Sequence, residues 1–142
     1  MHDAASLQHT RWECKYHVVF IPKCRRRKLY AQLKKELGSV FHGLARQKEG
    51  KIEEGHMWPD HVHMLVSIPP KHSVSQFVGF IKGKSAIWVA RRYGRRRNFS
   101  GEHFWARGYY VSTVGHDENA VREYIRNQEK EDQRLDQLNM FR

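Results

Sequence analysis

Cysteine, proline and acidic residues are scarce in this chain, and long apolar runs are missing. The two cysteines, Cys14 and Cys24, stand ten positions apart and make neither a CxxC pair nor a disulfide framework. Free thiols in a reducing cytosol are expected. No apolar run approaches the ~20 residues that a membrane helix needs, and the opening MHDAASLQHTRWE lacks the apolar stretch of a secretory signal. There is no GxxxxGK(S/T) phosphate loop, so P-loop nucleotide chemistry is not expected. Only 15 Asp and Glu stand against 26 Lys and Arg, which gives a formal charge of +11 and a pI near 10.0. That surplus suits a polyanion partner, nucleic acid first and an anionic membrane surface second. What remains argues against disorder: 39% hydrophobic and 12% aromatic residues can fill an ordinary core. A chain of 142 residues is expected to form one domain, 1–142.

The positive charge is uneven. Residues 117–142 hold five basic and seven acidic side chains, a net −2, which leaves +13 on residues 1–116. The basic blocks are KCRRRK at 23–28, the Lys82/Lys84 pair and RRYGRRR at 91–97. One such block suits a solvated helix end, whereas several in so short a chain favour phosphate binding. Arg25, Arg26, Arg27, Lys82, Lys84, Arg95, Arg96 and Arg97 are the candidate phosphate contacts, although Lys82 and Lys84 cannot both lie centrally on one helix face.

Trp12, Cys14, Tyr16, Val18 and Phe20 alternate with Glu13, Lys15 and His17, which predicts a strand over 12–21. Leu29, Leu33, Leu37, Val40, Phe41 and Leu44 form one stripe of a helix over 28–48, with Gly50 as its stop. Strands over 51–58 and 61–68 flank a Pro59-Asp60 turn and predict a hairpin. Ser73-x-x-Gln76 is a capping box. It opens a helix that carries Val74, Phe77, Val78, Ile81 and Trp88 and ends at Gly94, with an exposed loop over 95–102. A strand over 109–114 follows. Asp117 then caps a third helix with Ala120, Val121 and Ile125 early and Leu135 and Leu138 late. The order β-α-β-β-α-β predicts an α+β fold, a ferredoxin-like or RRM-like split β-α-β antiparallel sheet. Its first and third strands are central, its helices cover one face, and the other face is free. Residues 1–116 supply the sheet and two helices, and 117–142 the C-terminal helix and tail.

Side chains of a strand alternate faces. In HVHMLVSI at 61–68, Val62, Met64, Val66 and Ile68 share a core face, and His61, His63, Leu65 and Ser67 share the other. The two imidazoles are then roughly 6.5–7 Å apart at Cα, close enough to reach one metal ion. The pattern equally suits two surface histidines. On the third helix Tyr124 and Gln128 are four apart and share a face. Tyr124 can serve there as a nucleophile and the Gln128 amide oxygen as a ligand, or both can simply pack beside Val121 and Ile125. Tyr16, His17, Tyr30, Trp105 and Tyr109 suit stacking on unpaired bases, or a core or dimer contact.

Five segments carry a resemblance that covers nearly the whole chain: KYHVVFIPKCRRR at 15–27, GHMWPDHVHMLVSIPPK at 55–71, FVGFIKGKSA at 77–86, FWARGYYVSTVG at 104–115 and YIRNQ at 124–128. Together they resemble the small single-tyrosine transposases of the HUH class, insertion-sequence 200/605 family, transposase A type. The resemblance implies an enzyme that cuts single-stranded DNA at element ends folded as imperfect hairpins and rejoins it without ATP. It implies that His61 and His63 bind a divalent ion, Mg²⁺ or Mn²⁺, with Gln128 as third ligand. It implies that Tyr124 is the nucleophile, which becomes linked to the 5′ phosphate and leaves a 3′ hydroxyl free. It further implies a homodimer in which the tyrosine helix of one subunit completes the histidine site of the other in some states. No membrane and no nucleotide cofactor are involved. The expected location is the cytoplasm of a bacterial or archaeal cell, nucleoid-associated when bound to DNA. Trp58 and Cys24 depart from the family pattern, and the departure is expected to affect local packing rather than chemistry.

Physical chemistry agrees with that assignment. A phenol with a pKa near 10 needs help to attack phosphorus at neutral pH. A divalent ion can polarise the scissile phosphate, and water must be kept out if cleavage is to remain reversible. Two nitrogen ligands suit Mn²⁺, Co²⁺ or Zn²⁺ better than Mg²⁺. A tyrosine helix of net −2 is expected not to be held to DNA by its own charge. Three other readings share parts of this picture. A domesticated relative would process repeated genomic hairpins with the same fold. A non-catalytic RRM-type RNA-binding module has the same strand order, but its third strand carries an aromatic-rich run, and HVHMLVSI has no aromatic. A zinc hydrolase using the histidine pair needs further strong ligands, with His56 the nearest candidate.

Overall fold

Alternation along two central strands dictates how the layers assemble. A computed structural model of the chain describes residues 5–7, 10–23, 27–97, 104–115 and 118–139, with backbone only for 5–7, 27–31, 94–97 and 135–139. The elements are β1 (Ala5–Leu7), β2 (Thr10–Trp12), β3 (Lys15–Phe20), α1 (Arg27–Gln47), β4 (Lys51–Met57), β5 (Val62–Ser67), α2 (Val74–Arg97), β6 (Tyr110–Val114) and α3 (Glu118–Asn139). Four of the strands form a sheet in the order β4-β5-β3-β6 with every pairing antiparallel. The expected α+β architecture is therefore present, and β3 and β5 are the central strands. Residues facing each other across an antiparallel pair lie on one side of the sheet. Tyr16 faces Val66 and Val18 faces Met64, so Val18, Phe20, Val62, Met64 and Val66 collect on one side. None of these five is more than 3% exposed. Leu33, Leu37, Phe41 and Leu44 of α1 and Phe77, Val78, Ile81 and Val89 of α2 close the same core.

The strand expected over 12–21 is two strands. Trp12 ends β2, which pairs with β1 in a separate ribbon, and Lys15 begins β3. The alternation runs through both, but the partners change at Glu13-Cys14, and periodicity is blind to partners. The capping box forms as expected: the Gln76 N–H donates to Ser73 Oγ at 3.1 Å and the Ser73 N–H to Gln76 Oε1 at 3.4 Å. Gly94 does not end α2, which runs on to Arg97. A single glycine costs only about 1 kcal/mol in a helix, and the arginines around it are good helix formers. Residues 95–97 are thus helix rather than loop. Cys24, Arg25, Arg26, 98–102 and Asp117 lie outside the described residues.

The end of α1 differs in detail from expectation. Glu49 takes the left-handed conformation, with φ of 60°. The Gly50 N–H donates to Ala45 O at 2.9 Å and the Glu49 N–H to Arg46 O at 2.9 Å, a Schellman closure with glutamate where glycine is usual. Gly50 is needed for a different reason. A Cβ there would stand 2.6 Å from the Phe77 ring and 2.7 Å from Ser67 O.

The second face of the sheet, expected to be free, is partly covered. Helix α3 packs across β4 and β5, and β5 is consequently buried at all of its positions. Leu65 and Ile125 are the apolar centre of this layer, at 0% and 1% exposure. Ala120, expected on the apolar stripe, is exposed. The sheet-facing stripe is instead mostly charged. Lys15 Nζ lies 2.6 Å from Glu118 Oε1, and Arg122 reaches Glu118 at 3.1 Å, Glu53 at 3.3 Å and Glu54 at 3.6 Å. Arg126 reaches Glu54 at 3.1 Å. A bulge between Ile52 and Glu54 makes this possible. Strict alternation from the buried Ile52 would send Glu54 and His56 into the α1/α2 core. The extra residue turns them to the α3 side instead, opposite Leu65 and His63.

Two predictions follow from this packing. Gly50→Ala is expected to lower stability by about 2 kcal/mol through overpacking, whereas Glu49→Gly raises it by relieving the left-handed backbone; urea unfolding midpoints separate the two. The Lys15 hydrogen bond holds the Glu118 carboxyl below the usual carboxylate range. Its stabilisation is therefore present above the unfolded-state value near 4.3 and is lost as pH falls through the lower folded value. Glu118→Gln is expected to cost about 3 kcal/mol at neutral pH, because Lys15 stays buried without its carboxylate. It should also flatten the acid limb of stability against pH.

Candidate active site

His61 stands just before β5 and His63 within it. The Pro59-Asp60 turn is closed by the Trp58 N–H donating to His61 O at 2.7 Å. This brings the two imidazole centroids to 4.7 Å. Each Nδ1 is engaged. That of His61 lies 2.8 Å from Asp60 Oδ1, and that of His63 lies 3.1 Å from Nε2 of His17. Nε2 of each ring is the donor atom left over. Burial, then the neighbouring His61 and His17, push the His63 pKa down to about 4. Burial also lowers that of His61, outweighing Asp60, and that of His17. At neutral pH these rings are uncharged and carry lone pairs.

Tyr124 is carried to the same place by α3. Its ring centroid is 6.0 Å from that of His63 and 6.3 Å from that of His17, yet the residue is 48% exposed. It is close to the histidines and still open to a substrate. Gln128 follows one turn later on the same helix face and is half-buried. The tyrosine helix is docked on its own chain's histidine strand.

Trp58 also belongs to the site. Its ring lies 3.7 Å from that of His61, 5.4 Å from His63 and 5.3 Å from His56. Trp58, expected to bear on local packing rather than chemistry, packs on the histidine pair itself, and its indole forms a wall beside it. His56 faces His63 across the β4–β5 pair. Its nitrogens lie 3.8 Å from Glu129 Oε1 and 3.6 Å from Asp132 Oδ2 of α3, and neither makes a hydrogen bond among the described residues. Burial, Lys34 and the two other imidazoles together push its pKa down to about 3. His56 therefore points at the helix rather than joining the pair. Among the described residues no group of three or more His, Cys, Asp and Glu is gathered for a metal. The further ligands that a zinc hydrolase needs are not found there.

Several other candidates are already occupied. Lys82 Nζ donates to Ala106 O at 2.9 Å and to Gly108 O at 2.7 Å, pinning the segment that leads into β6. It is a structural cation, in contrast to the exposed Lys84. The Trp105 Nε1–H donates to Ser85 Oγ at 2.9 Å inside the core, and Tyr16 and Tyr109 pack against the same core. Arg27, Arg95, Arg96 and Arg97 lie at helix ends with side chains that are not described, as does Tyr30 within α1. His17, expected to stack on bases or to pack, instead meets His63. The signal was its place on the polar side of β3, together with Lys15.

Residues 10–128 match the family model described as Transposase IS200 like. The chain belongs to the IS200-like transposase family. It is 43% identical over 141 residues to the transposase for insertion sequence element IS200 of Salmonella typhimurium, covering 99% of this chain and 93% of that one. It is 27% identical over 119 residues to the ISDra2 transposase TnpA of Deinococcus radiodurans, covering 82% and 85%. Among solved structures it is similar to a candidate transposase from Deinococcus radiodurans R1, with a TM-score of 0.67 and 25% identity over 87% of this chain and 97% of that one. It shares its fold with a REP-associated tyrosine transposase bound to a REP hairpin, with a TM-score of 0.60 and 16% identity over 84% and 70%. The IS200-like transposase family makes the chain a DNA-processing enzyme rather than an RRM-type module. Among the described residues no helix is long and apolar enough to cross a membrane.

The two lysines of α2 separate in a salt titration. Lys84→Ala is expected to reduce the slope of log affinity against log salt for a single-stranded oligonucleotide by about 0.7, one phosphate contact's share. Lys82→Ala leaves that slope unchanged and lowers the thermal midpoint instead. Fluorescence anisotropy across a salt series, with a melting curve for each variant, measures both.

Proposed function

We propose that this IS200-like transposase cuts and rejoins single-stranded DNA at hairpin-marked element ends through a 5′-phosphotyrosine at Tyr124. The observation that carries the reading is the half-exposed Tyr124 ring 6.0 Å from the buried, neutral His63. In cleavage the Tyr124 phenol gives up its proton and its oxygen bonds to phosphorus as the P–O3′ bond breaks, and the departing O3′ takes up one proton in exchange. In rejoining, a 3′ hydroxyl oxygen attacks the same phosphorus and the phenol leaves. The phosphodiester energy stays in the tyrosyl linkage, so no nucleotide is consumed.

A divalent ion, Mg²⁺ or Mn²⁺, fits the residues present. Two imidazoles bound side by side through nitrogens at about 2.1 Å put their ring centres about 4.5 Å apart. His61 and His63 stand at 4.7 Å with both Nδ1 atoms engaged. They would hold the ion through Nε2, with Gln128 as the third ligand. When bound, it supplies charge to polarise the scissile phosphate and stabilise its oxygens. The chain does the rest. Asp60 and His17 orient the two rings, Trp58 walls the site, and α3 keeps the phenol beside it. The exposed Lys84 and the arginines at 25–27 and 95–97 are the remaining phosphate contacts. A homodimer is supported by β6, a sheet edge that exposes Tyr110 and Val111 at 60% and 38%. The 43% identity to an insertion-sequence transposase favours a mobile element over a domesticated hairpin processor.

The test is an adduct assay with single-stranded end DNA and Mn²⁺ on a denaturing gel. Wild-type protein is expected to give a covalent adduct. Tyr124→Phe should give none, and His61→Ala and His63→Ala should lower it at least 100-fold. An undiminished adduct in Tyr124→Phe sinks the reading.

A further inference from the structure

We propose that His17 is a positioning residue, whose Nε2 accepts the Nδ1–H of His63 and so fixes the tautomer that leaves the His63 Nε2 lone pair free for a divalent ion. This rests on the metal reading above and names the residue that prepares one of its ligands.

A neutral imidazole has one N–H and one lone pair. Two ring nitrogens 3.1 Å apart must therefore divide the roles of donor and acceptor. If His17 donated, the proton of His63 would sit on Nε2 and block it. If His63 donates, its Nε2 is bare and His17 carries its own proton on Nδ1. Only the second arrangement makes His63 a ligand. The first histidine of the pair follows the same logic with a simpler partner. The Asp60 carboxylate can only accept, so it draws the proton of His61 to Nδ1. Outer partners of this kind orient metal-binding histidines generally.

The fold holds His17 firmly to this task. It sits on the central strand β3, with Leu65 of β5 on one side and Ser112 of β6 on the other. Its ring lies end to end with that of His63 and nearly in the same plane, with centroids 5.3 Å apart and an angle of 24°, as an in-plane hydrogen bond requires. Tyr110 and Tyr124 meet it edge-on at 6.1 and 6.3 Å.

The primary test needs no variant and no metal. Long-range proton–nitrogen correlation spectra of histidine-labelled, metal-free protein at pH 8 are expected to show both His63 and His17 as Nδ1–H tautomers, the form that free imidazole disfavours. An Nε2–H form of His63 overturns the proposal. His17→Phe keeps the ring's bulk and removes the acceptor. It should return His63 to the Nε2–H form and weaken Mn²⁺ binding, read by electron paramagnetic resonance, by about 10–100-fold. His17→Gln, whose side-chain oxygen can accept the same proton, should recover most of that loss, with a thermal midpoint for each variant as the check on folding. Undiminished Mn²⁺ binding in His17→Phe, with binding lost in His63→Ala, overturns this proposal alone. Wild-type protein that binds no Mn²⁺, or binds it equally well in His63→Ala, overturns the metal reading and this one with it.

Discussion

Burial of β5 on both of its faces is the constraint on which the rest of the structure depends. One face meets an apolar core and would be stable under α1 and α2 alone. The other carries His63, Leu65 and Ser67, a row that no apolar layer can cover without stranding polar groups. The neighbouring strands meet its polar groups, Ser67 Oγ donating to Glu53 at 2.9 Å and His63 meeting His17, and α3 covers the row with Ile125 while its own charges pair with Lys15, Glu53 and Glu54 beside it. The consequence is chemical. Covering β5 dries His63 enough to keep it neutral and ready to donate a lone pair, and the same helix delivers Tyr124 to its side. Structural cover and placement of the Tyr124 ring beside His63 are one event.

The way α3 is held follows from that polar face. Ile125 is the apolar anchor, and around it Glu118 meets Lys15, Arg122 meets Glu53, and Arg126 meets Glu54. Ion pairs taken from water recover little net stability, so this seam is weaker than an apolar one of similar size. It also gives the net charge of −2 on residues 117–142 a different meaning. Glu118, Glu129 and Asp132 face Lys15, Lys34 and His56 of the sheet and α1. Part of the acidity of the tyrosine helix, that of Glu118 and Glu129, answers cations of its own chain, and avoidance of DNA is not needed to explain that part.

Local signals were legible and relational ones were not. The alternation in HVHMLVSI placed the core face of β5 and put His63 on the opposite side, and the Ser73/Gln76 box marked the start of α2. His17 was visible on the polar side of β3. Its meeting with His63 depends on the register of two strands that lie 46 positions apart in the chain, and register is set by packing as well as pattern. The side of the sheet that His56 takes was hidden for a sharper reason. A bulge at Glu53 breaks the period, and no composition rule announces a bulge. Gly94 and Glu49 show the limits of single-residue signals, since a glycine sits inside a helix and a glutamate ends one.

Trp58 joins these threads. It stood out only as an unusual residue beside a turn, where it was expected to matter for packing. Its indole instead closes the side of the pair formed by His61 and His63 and reaches His56 as well. Its Nε1–H is buried without an acceptor among the described residues, as is that of Trp12. Keeping water from the histidine rings lowers the local dielectric. Any charge that develops on a phosphate held there is then felt more strongly by the groups around it. Trp58 is thus part of the medium around His61 and His63.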